Sequence, residues 1–380
     1  MFRKRFRNRS APLATIFLCV LCLTLIYGCL PNSQTPDSQP TVEASSLLTE
    51  PFLQKPTENS VTVAWFTEFP GEKNTVVYGE NLNQTNEATT IKLSHTREDQ
   101  KSRVGNQTED KQVYQKPVPR DIFRHEAEIA GLTPGKEIDY QVISKPEDGG
   151  EAKSKVYQLE PAPEPGKPLK ILLTSDHQLK SMTAANLQKA KETAGDIDAV
   201  FMAGDLINIP DRASEWFDDN RGGAFFPALQ GRANYQIGKD EVKTAYKGGE
   251  IIQEAPIFTA IGNHEFMGRR GKSDDLDGEY NDAIPRAVAK NLYGESSLEA
   301  NSFNTDTYEE IFSLPESNTG GEKYYATTFG DVRLVVLNAT NIWRRPSLES
   351  DIKGKYRESE ADFKNPEQWG YGQHIFEPID

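Results

Sequence analysis

Cysteine is scarce in this chain, and its placement excludes more than its number does. Three occur in 380 residues, and Cys19, Cys22 and Cys29 all precede residue 30. The rest of the chain therefore has no disulfide framework and must hold itself together by core burial. Histidine is nearly as sparse, with five in all and only His374 after His264. Positive charge is also short: 43 Lys and Arg face 57 Asp and Glu, a net charge of −14. A surface of that sign excludes nucleic-acid binding through the phosphate backbone. Long hydrophobic runs are missing except for Ala11 to Tyr27, which is uncharged and follows Arg3, Lys4, Arg5, Arg7 and Arg9. A basic stretch followed by an apolar one has the order of a secretory signal, so residues 1–28 are expected to direct export. No internal repeat is present.

What is there divides the chain into segments. Ile26-Tyr27-Gly28-Cys29 resembles a bacterial lipoprotein box, which implies that Cys29 is lipidated and anchors an exported protein to the membrane. An uncleaved apolar anchor remains the alternative. Residues 29–45 are polar and Pro-rich and read as a disordered tether. From 46 to 160 the signals are short strands. Ser60 to Phe66 alternates, with Val61, Val63 and Trp65 on one face, and β-branched runs follow at Thr75–Tyr78, Ala88–Ile91, Tyr140–Ile143 and Lys155–Leu159. Strands punctuated by Gly, Pro and Asn predict an antiparallel sandwich. Leu132-Thr-Pro-Gly135 with Tyr140 resembles the tyrosine corner of fibronectin type III domains. The charged stretch His95–Asp121 reads as a long mobile loop, and His95 and His125 as surface residues. Pro161 to Pro168 reads as a linker.

From 169 to 380 strands alternate with helical stretches, which predicts an α/β domain. Thr183 is placed to cap a helix through Ala194, stopped by Gly195. Asp282–Leu292 and Thr305–Phe312 are further helical candidates, and Tyr324–Thr328 with Val332–Leu337 reads as a hairpin. Trp216, Phe225 and Phe226 fit core packing better than a lid. Three polar motifs each end a hydrophobic run: Ser175-Asp176-His177-Gln178, Gly204-Asp205-Leu206-Ile207-Asn208 and Gly262-Asn263-His264-Glu265. Ligands in α/β folds bind at strand carboxyl ends, where these motifs fall. Asp176, Asp205 and Asn263 are hard oxygen donors suited to divalent cations. Two such cations would activate a shared water and clamp a phosphoryl group, with His264 donating a hydrogen bond to it.

The three motifs together resemble the calcineurin-like metallophosphoesterases, and the leading sandwich narrows the resemblance to the purple acid phosphatase-like branch. Pro51 to Thr57 followed by Val61 to Trp65 resembles the opening of that branch's first domain. The implied fold is a fibronectin type III-like sandwich followed by a metallophosphoesterase α/β sandwich. The implied reaction is hydrolysis of phosphate mono- or diesters by two metal ions, iron, manganese or zinc. In that pattern Asp176 binds the first metal, Asp205 bridges, Asn263 binds the second and His264 contacts the phosphoryl group.

This chain departs from the pattern in three places. Gln178 stands where the family has His or Gly, leaving Gln178 a weak ligand to the first metal. Asn208 stands where purple enzymes carry a metal-binding Tyr and other members an Asp that orients the catalytic His, and it is expected to orient His264 by a hydrogen bond while bringing no negative charge. The closing Val-x-x-His and Gly-His-x-His motifs have no match in the sequence, since His374 lies in Gly372-Gln-His-Ile. The catalytic domain is therefore expected to be incomplete and its activity impaired. The contrasting reading is a surface-tethered binding protein with a degenerate phosphoesterase domain. With Asn208 replacing the tyrosine, an iron-loaded sample should lack the intense visible charge-transfer band of the purple enzymes, which an absorption spectrum checks directly.

Overall fold

The protein is described by a computed structural model covering residues 46–338, apart from 106, 108–112, 240–241, 269–274, 282–293 and 296–302. The expected signal, Cys29, the tether, the helix at Asp282–Leu292 and His374 lie outside the described residues. No helix among the described residues is long and apolar enough to cross a membrane.

The first eleven strands are β1 (Phe52–Gln54), β2 (Ser60–Thr67), β3 (Lys73–Tyr78), β4 (Gln84–Glu87), β5 (Thr89–Lys92), β6 (Arg97–Glu98), β7 (Val118–Pro119), β8 (Phe123–Ala130), β9 (Ile138–Lys145), β10 (Ala152–Lys153) and β11 (Tyr157–Leu159). They build an antiparallel sandwich with sheet orders β1-β2-β8-β5 and β10-β9-β3-β4, β11 pairing with β9. Leu53, Val61, Val63 and Trp65 face Val76, Tyr140 and Val142 between the sheets. The Trp65 indole donates to the Ser144 hydroxyl across that gap at 2.9 Å, so its one polar atom is satisfied inside the core.

Strand β2 is buried along its whole length, which alternation alone does not predict. Its second face presents Ala64 and Phe66, with Phe52 from β1, to a larger core containing Phe217, Phe226 and Trp216. The Phe66 ring lies 4.9 Å from Phe217 and 5.3 Å from Phe226. Full burial of each such ring is worth about 2–3 kcal/mol, and through this face the sandwich shares an apolar core with the following segments, separate from the one between its sheets.

Three expectations fail. The Tyr140 hydroxyl does not form a tyrosine corner; it donates to the Gln253 carbonyl, a partner 113 residues further along the chain. His125 is fully buried, with Nε2 on the Thr67 hydroxyl at 2.7 Å and Nδ1 on the Thr90 hydroxyl at 2.9 Å. Within the stretch His95–Asp121, Thr96, Glu98, Asp99, Ser102 and Gln107 are buried, whereas Val113 and Val118 are exposed. Its acidic groups are held by cations: Arg120 binds Glu98 and Asp218, and Arg212 binds Asp99.

The second region centres on β12 (Ile171–Thr174), β13 (Ala199–Met202) and β16 (Ile257–Thr259), parallel and ordered β12-β13-β16. Helix α1 (Thr183–Ala194) connects the first two and ends as expected at Gly195, whose φ of 71° suits glycine. Its N-cap is Met182, and Thr183 instead donates to the His177 carbonyl. Short helices α2 (Ala213–Phe217) and α3 (Phe225–Leu229) carry the aromatic core residues. Trp216, Phe225 and Phe226 are buried there, as core packing requires. A hairpin of β14 (Tyr235–Lys239) and β15 (Val242–Tyr246) was not visible in the sequence pattern; β17 (Tyr325–Phe329) and β18 (Val332–Val336) form the expected one.

Burial pushes the His125 imidazole down to about 4 from 6.5. Between those values the unfolded chain takes up a proton that the folded chain refuses. Stability from this group is complete above 6.5 and drains as pH falls towards 4. At 1.36 kcal/mol per pKa unit the loss approaches about 3 kcal/mol. Urea unfolding at pH 7 and pH 4.5 should show the wild type losing about 2–3 kcal/mol more than His125→Gln between the two conditions.

Candidate functional site

Adjacent parallel strands deliver their carboxyl ends side by side, and each of the three polar motifs begins there. The loops are then stitched together through main-chain atoms. The Asp176 amide donates to the Gly204 carbonyl at 3.2 Å, and the Gln178 amide to the Leu206 carbonyl at 3.0 Å. The His264 amide donates to Asp205 Oδ1 at 3.1 Å. The second motif thus touches both others, which puts Asp205 between Asp176 on one side and Asn263-His264 on the other.

Glycine makes the close approach possible. Gly204 has φ of 87°, and a Cβ there would come 2.5 Å from the Gly262 nitrogen. A Cβ on Gly262 would come 2.3 Å from Asp205 Oδ1. Asp176, Gln178 and Asp205 also adopt positive φ, at 55°, 41° and 55°. Non-glycine residues rarely sit there, and strain of this kind concentrates at functional loops.

Glu265 holds the arrangement from beneath. Its carboxylate is fully buried and accepts the amides of Asp205 at 2.9 Å, Leu206 at 2.7 Å and Gly262 at 2.7 Å. Burial raises its pKa to about 8, with the Asp205 charge adding to the rise and the three amides opposing it. The residue is the last of its motif, yet its work is to close two loops at once.

The remaining site residues divide by exposure. Asp176 is largely exposed, accepts the Ser175 hydroxyl at 2.6 Å and has Lys180 Nζ at 3.8 Å. His177 is buried, with its ring centroid 6.3 Å from that of Phe225 and burial pushing its pKa down to about 4. The His264 ring is fixed by Nδ1, which donates to the main-chain carbonyl of Asn208 at 2.7 Å. Because a carbonyl only accepts, Nδ1 must carry hydrogen. The orienting bond thus comes from the Asn208 backbone. The Asn208 carboxamide is occupied elsewhere, donating to the Gln178 carbonyl at 3.0 Å.

Sequence reasoning missed Tyr280. Its ring stacks on His264 at 5.3 Å and 18°, and its hydroxyl donates to the Asn263 carbonyl at 3.0 Å. A single tyrosine in a polar stretch carries no signal that would have marked it.

As a metal site, the donors Asp176, Asp205, Asn263 and Gln178 offer only hard oxygens, which suit a divalent cation. Among the described residues no group of three His, Cys, Asp or Glu could hold a metal ion. The donor set therefore fits in part, with oxygen ligands at the strand ends and no histidine ligands completing them.

Residues 52–160 match the family model described as "Purple acid Phosphatase, N-terminal domain". Among solved structures, purple acid phosphatase PPD1 from yellow lupin (Lupinus luteus) seeds is 18% identical with a TM-score of 0.48, covering 76% of this chain and 44% of that one. PhoD is 13% identical with a TM-score of 0.36, covering 79% and 53%. The chain thus spans about half the length of each. No curated protein matches the chain.

Removing the Glu265 carboxylate would orphan three buried amides, each costing roughly 1–3 kcal/mol. Glu265→Ala should lower the urea unfolding free energy by about 3 kcal/mol or more, and Glu265→Gln by less, since one amide oxygen remains to accept. An alanine variant as stable as the wild type would show that the clamp carries no weight.

Proposed function

We propose that this chain is an exported, membrane-tethered phosphoesterase that hydrolyses phosphate mono- or diesters at a two-metal site, with impaired activity. The observation that carries the reading is the convergence of Asp176, Asp205 and Asn263-His264 at three adjacent strand ends, with Asp205 hydrogen-bonded into the third motif. Asp176 and Gln178 would hold the first ion, Asp205 both, and Asn263 the second. Iron, manganese and zinc all suit such donors. When bound, the ions supply an activated water and neutralise charge on the phosphoryl group.

The chain's own residues do the positioning. His264 is held by the Asn208 carbonyl through Nδ1, so Nε2 is the ring nitrogen that addresses a phosphoryl or leaving-group oxygen. Gly204 and Gly262 let the Asp205 carboxylate lie against the third motif, and Glu265 keeps both loops from opening. Gln178 supports slow turnover, because a neutral carboxamide oxygen holds a cation more weakly than a carboxylate or an imidazole does. Export and tethering rest on the basic stretch Arg3–Arg9, the apolar run Ala11–Tyr27 and Cys29, the residue to be lipidated.

Calorimetric titration with Mn²⁺ or Zn²⁺, paired with hydrolysis of p-nitrophenyl phosphate, tests the reading. The wild type should bind metal and show slow, metal-dependent turnover. Asp205→Ala should weaken binding at least about tenfold and abolish turnover, as expected when a bridging carboxylate is lost. Metal binding and turnover unaffected by Asp205→Ala would sink the proposed site. A wild type with no metal-dependent turnover would favour the tethered binding protein.

A further inference from the structure

We infer that Tyr280 is a positioning residue for both Asn263 and His264, and that residues Arg97–Lys101 of the β-domain hold it in place. The inference rests on the phosphoesterase reading for what the positioned groups do, but its geometry stands independently. Tyr280 contacts the two residues in different ways. Its ring stacks on the imidazole of His264, limiting the ring's rotation about the bond that Nδ1 makes to Asn208. Its hydroxyl donates to the Asn263 carbonyl at 3.0 Å and accepts from Asn263 Nδ2 at 3.4 Å. The second contact has a chemical consequence. Only the oxygen of a carboxamide can ligate a cation, and an Asn that gives Nδ2 to Tyr280 must turn Oδ1 the other way. One phenol thus selects the rotamer in which Asn263 can act as a ligand.

Tyr280 sits on the helix Leu276–Asn281. The β-domain grips that helix at successive points. Asp99 Oδ2 accepts the Leu276 amide at 2.7 Å. Arg97 pairs with Glu279 at 2.7 Å, and Lys101 with Asp277 at 2.6 Å and Asp275 at 3.2 Å. Arg212, bound to Asp99, adds a bond to Asp277 at 3.2 Å. Leu276 and Tyr280 are buried with Ile209 and Met267, which closes the helix onto the site from the apolar side. The path from Arg97 to Asn263 therefore runs through direct contacts.

Tyr280→Phe keeps the ring and removes the hydroxyl; Tyr280→Leu removes both. Selectively labelled protein without added metal gives a readout independent of activity. Tyr280→Phe should shift the Asn263 side-chain amide resonances and leave those of the His264 ring, whereas Tyr280→Leu should shift both sets. With Mn²⁺, Tyr280→Phe should lose roughly 10–100-fold in affinity, the range for groups that orient a ligand. Its urea midpoint should stay close to the wild-type value. Arg97→Met should reproduce the Asn263 shift in part. Unchanged Asn263 resonances in Tyr280→Phe would overturn the inference, as would a Mn²⁺ affinity equal to wild type or a loss matched by unfolding. If Mn²⁺ binds not even the wild type, the phosphoesterase reading falls, and the Asn263 and His264 resonances still decide the role of Tyr280.

Discussion

The guanidinium of Arg212 is the point on which the two regions depend. It is buried, and it binds Asp99 through Nε at 3.1 Å and Nη2 at 3.0 Å, Glu215 at 2.7 Å and Asp277 at 3.2 Å. These partners come from the β-domain segment, from helix α2 and from the helix that carries Tyr280. A charge removed from water is tolerated only when its donors are nearly all met, and breaking such a pair costs about 3–5 kcal/mol. Arginine suits the task because its planar fork can satisfy several carboxylates at once. Glu215 uses its second oxygen to accept the Asn208 amide at 2.7 Å, so the network runs on into the second motif.

Glu265 repeats the same logic without a cation. Three main-chain amides replace water around its carboxylate, and they do not fully compensate for the burial. The fold accepts that penalty because the carboxylate joins Gly262 to Asp205 and Leu206. A hydrophobic residue could fill the space but would leave the three amides without acceptors. The two buried acid systems therefore divide the labour: Arg212 and its partners fix where the segments lie, and Glu265 fixes how closely the motif loops approach.

Legibility from sequence followed the range of the interactions. The α1 boundary at Gly195, the β17–β18 hairpin and the exits after β12, β13 and β16 depend on local rules of periodicity and turn chemistry, and they read correctly. The inner face of β2 also read correctly, because Val61, Val63 and Trp65 alternate. Its outer face did not, because Phe66 meets Phe217 and Phe226 from a segment about 150 residues later. The same range defeats the reading of Tyr140, whose acceptor is Gln253, and of His125, whose partners are Thr67 and Thr90 on neighbouring strands. The charged stretch after His95 looked like a solvated loop because several of its charges are countered by distant residues, Asp99 by Arg212 and Arg120 by Asp218. In the site, the motif residues were visible, but Tyr280 and the use of the Asn208 backbone were not, since neither leaves a pattern in sequence.

Residues 52–160, the segment that matches the family, contain Arg97, Asp99 and Lys101. These are the residues that grip the helix of Tyr280, and that helix in turn touches Asn263 and His264. The β-domain is therefore not a detachable module beside the site. It closes the apolar interior through Phe52 and Phe66, and it supplies charged side chains that reach to within one residue's contact of the motif loops. In the sheet of three short parallel strands, β13 and β16 are buried but the edge strand β12 is partly exposed, with Leu173 at 72%. Such a sheet gains rigidity at its strand ends only if neighbouring segments brace them. The brace in this chain is electrostatic and comes from the β-domain, which explains why Glu98 and Asp99 of that domain are buried and why Arg120 and Arg212 answer them.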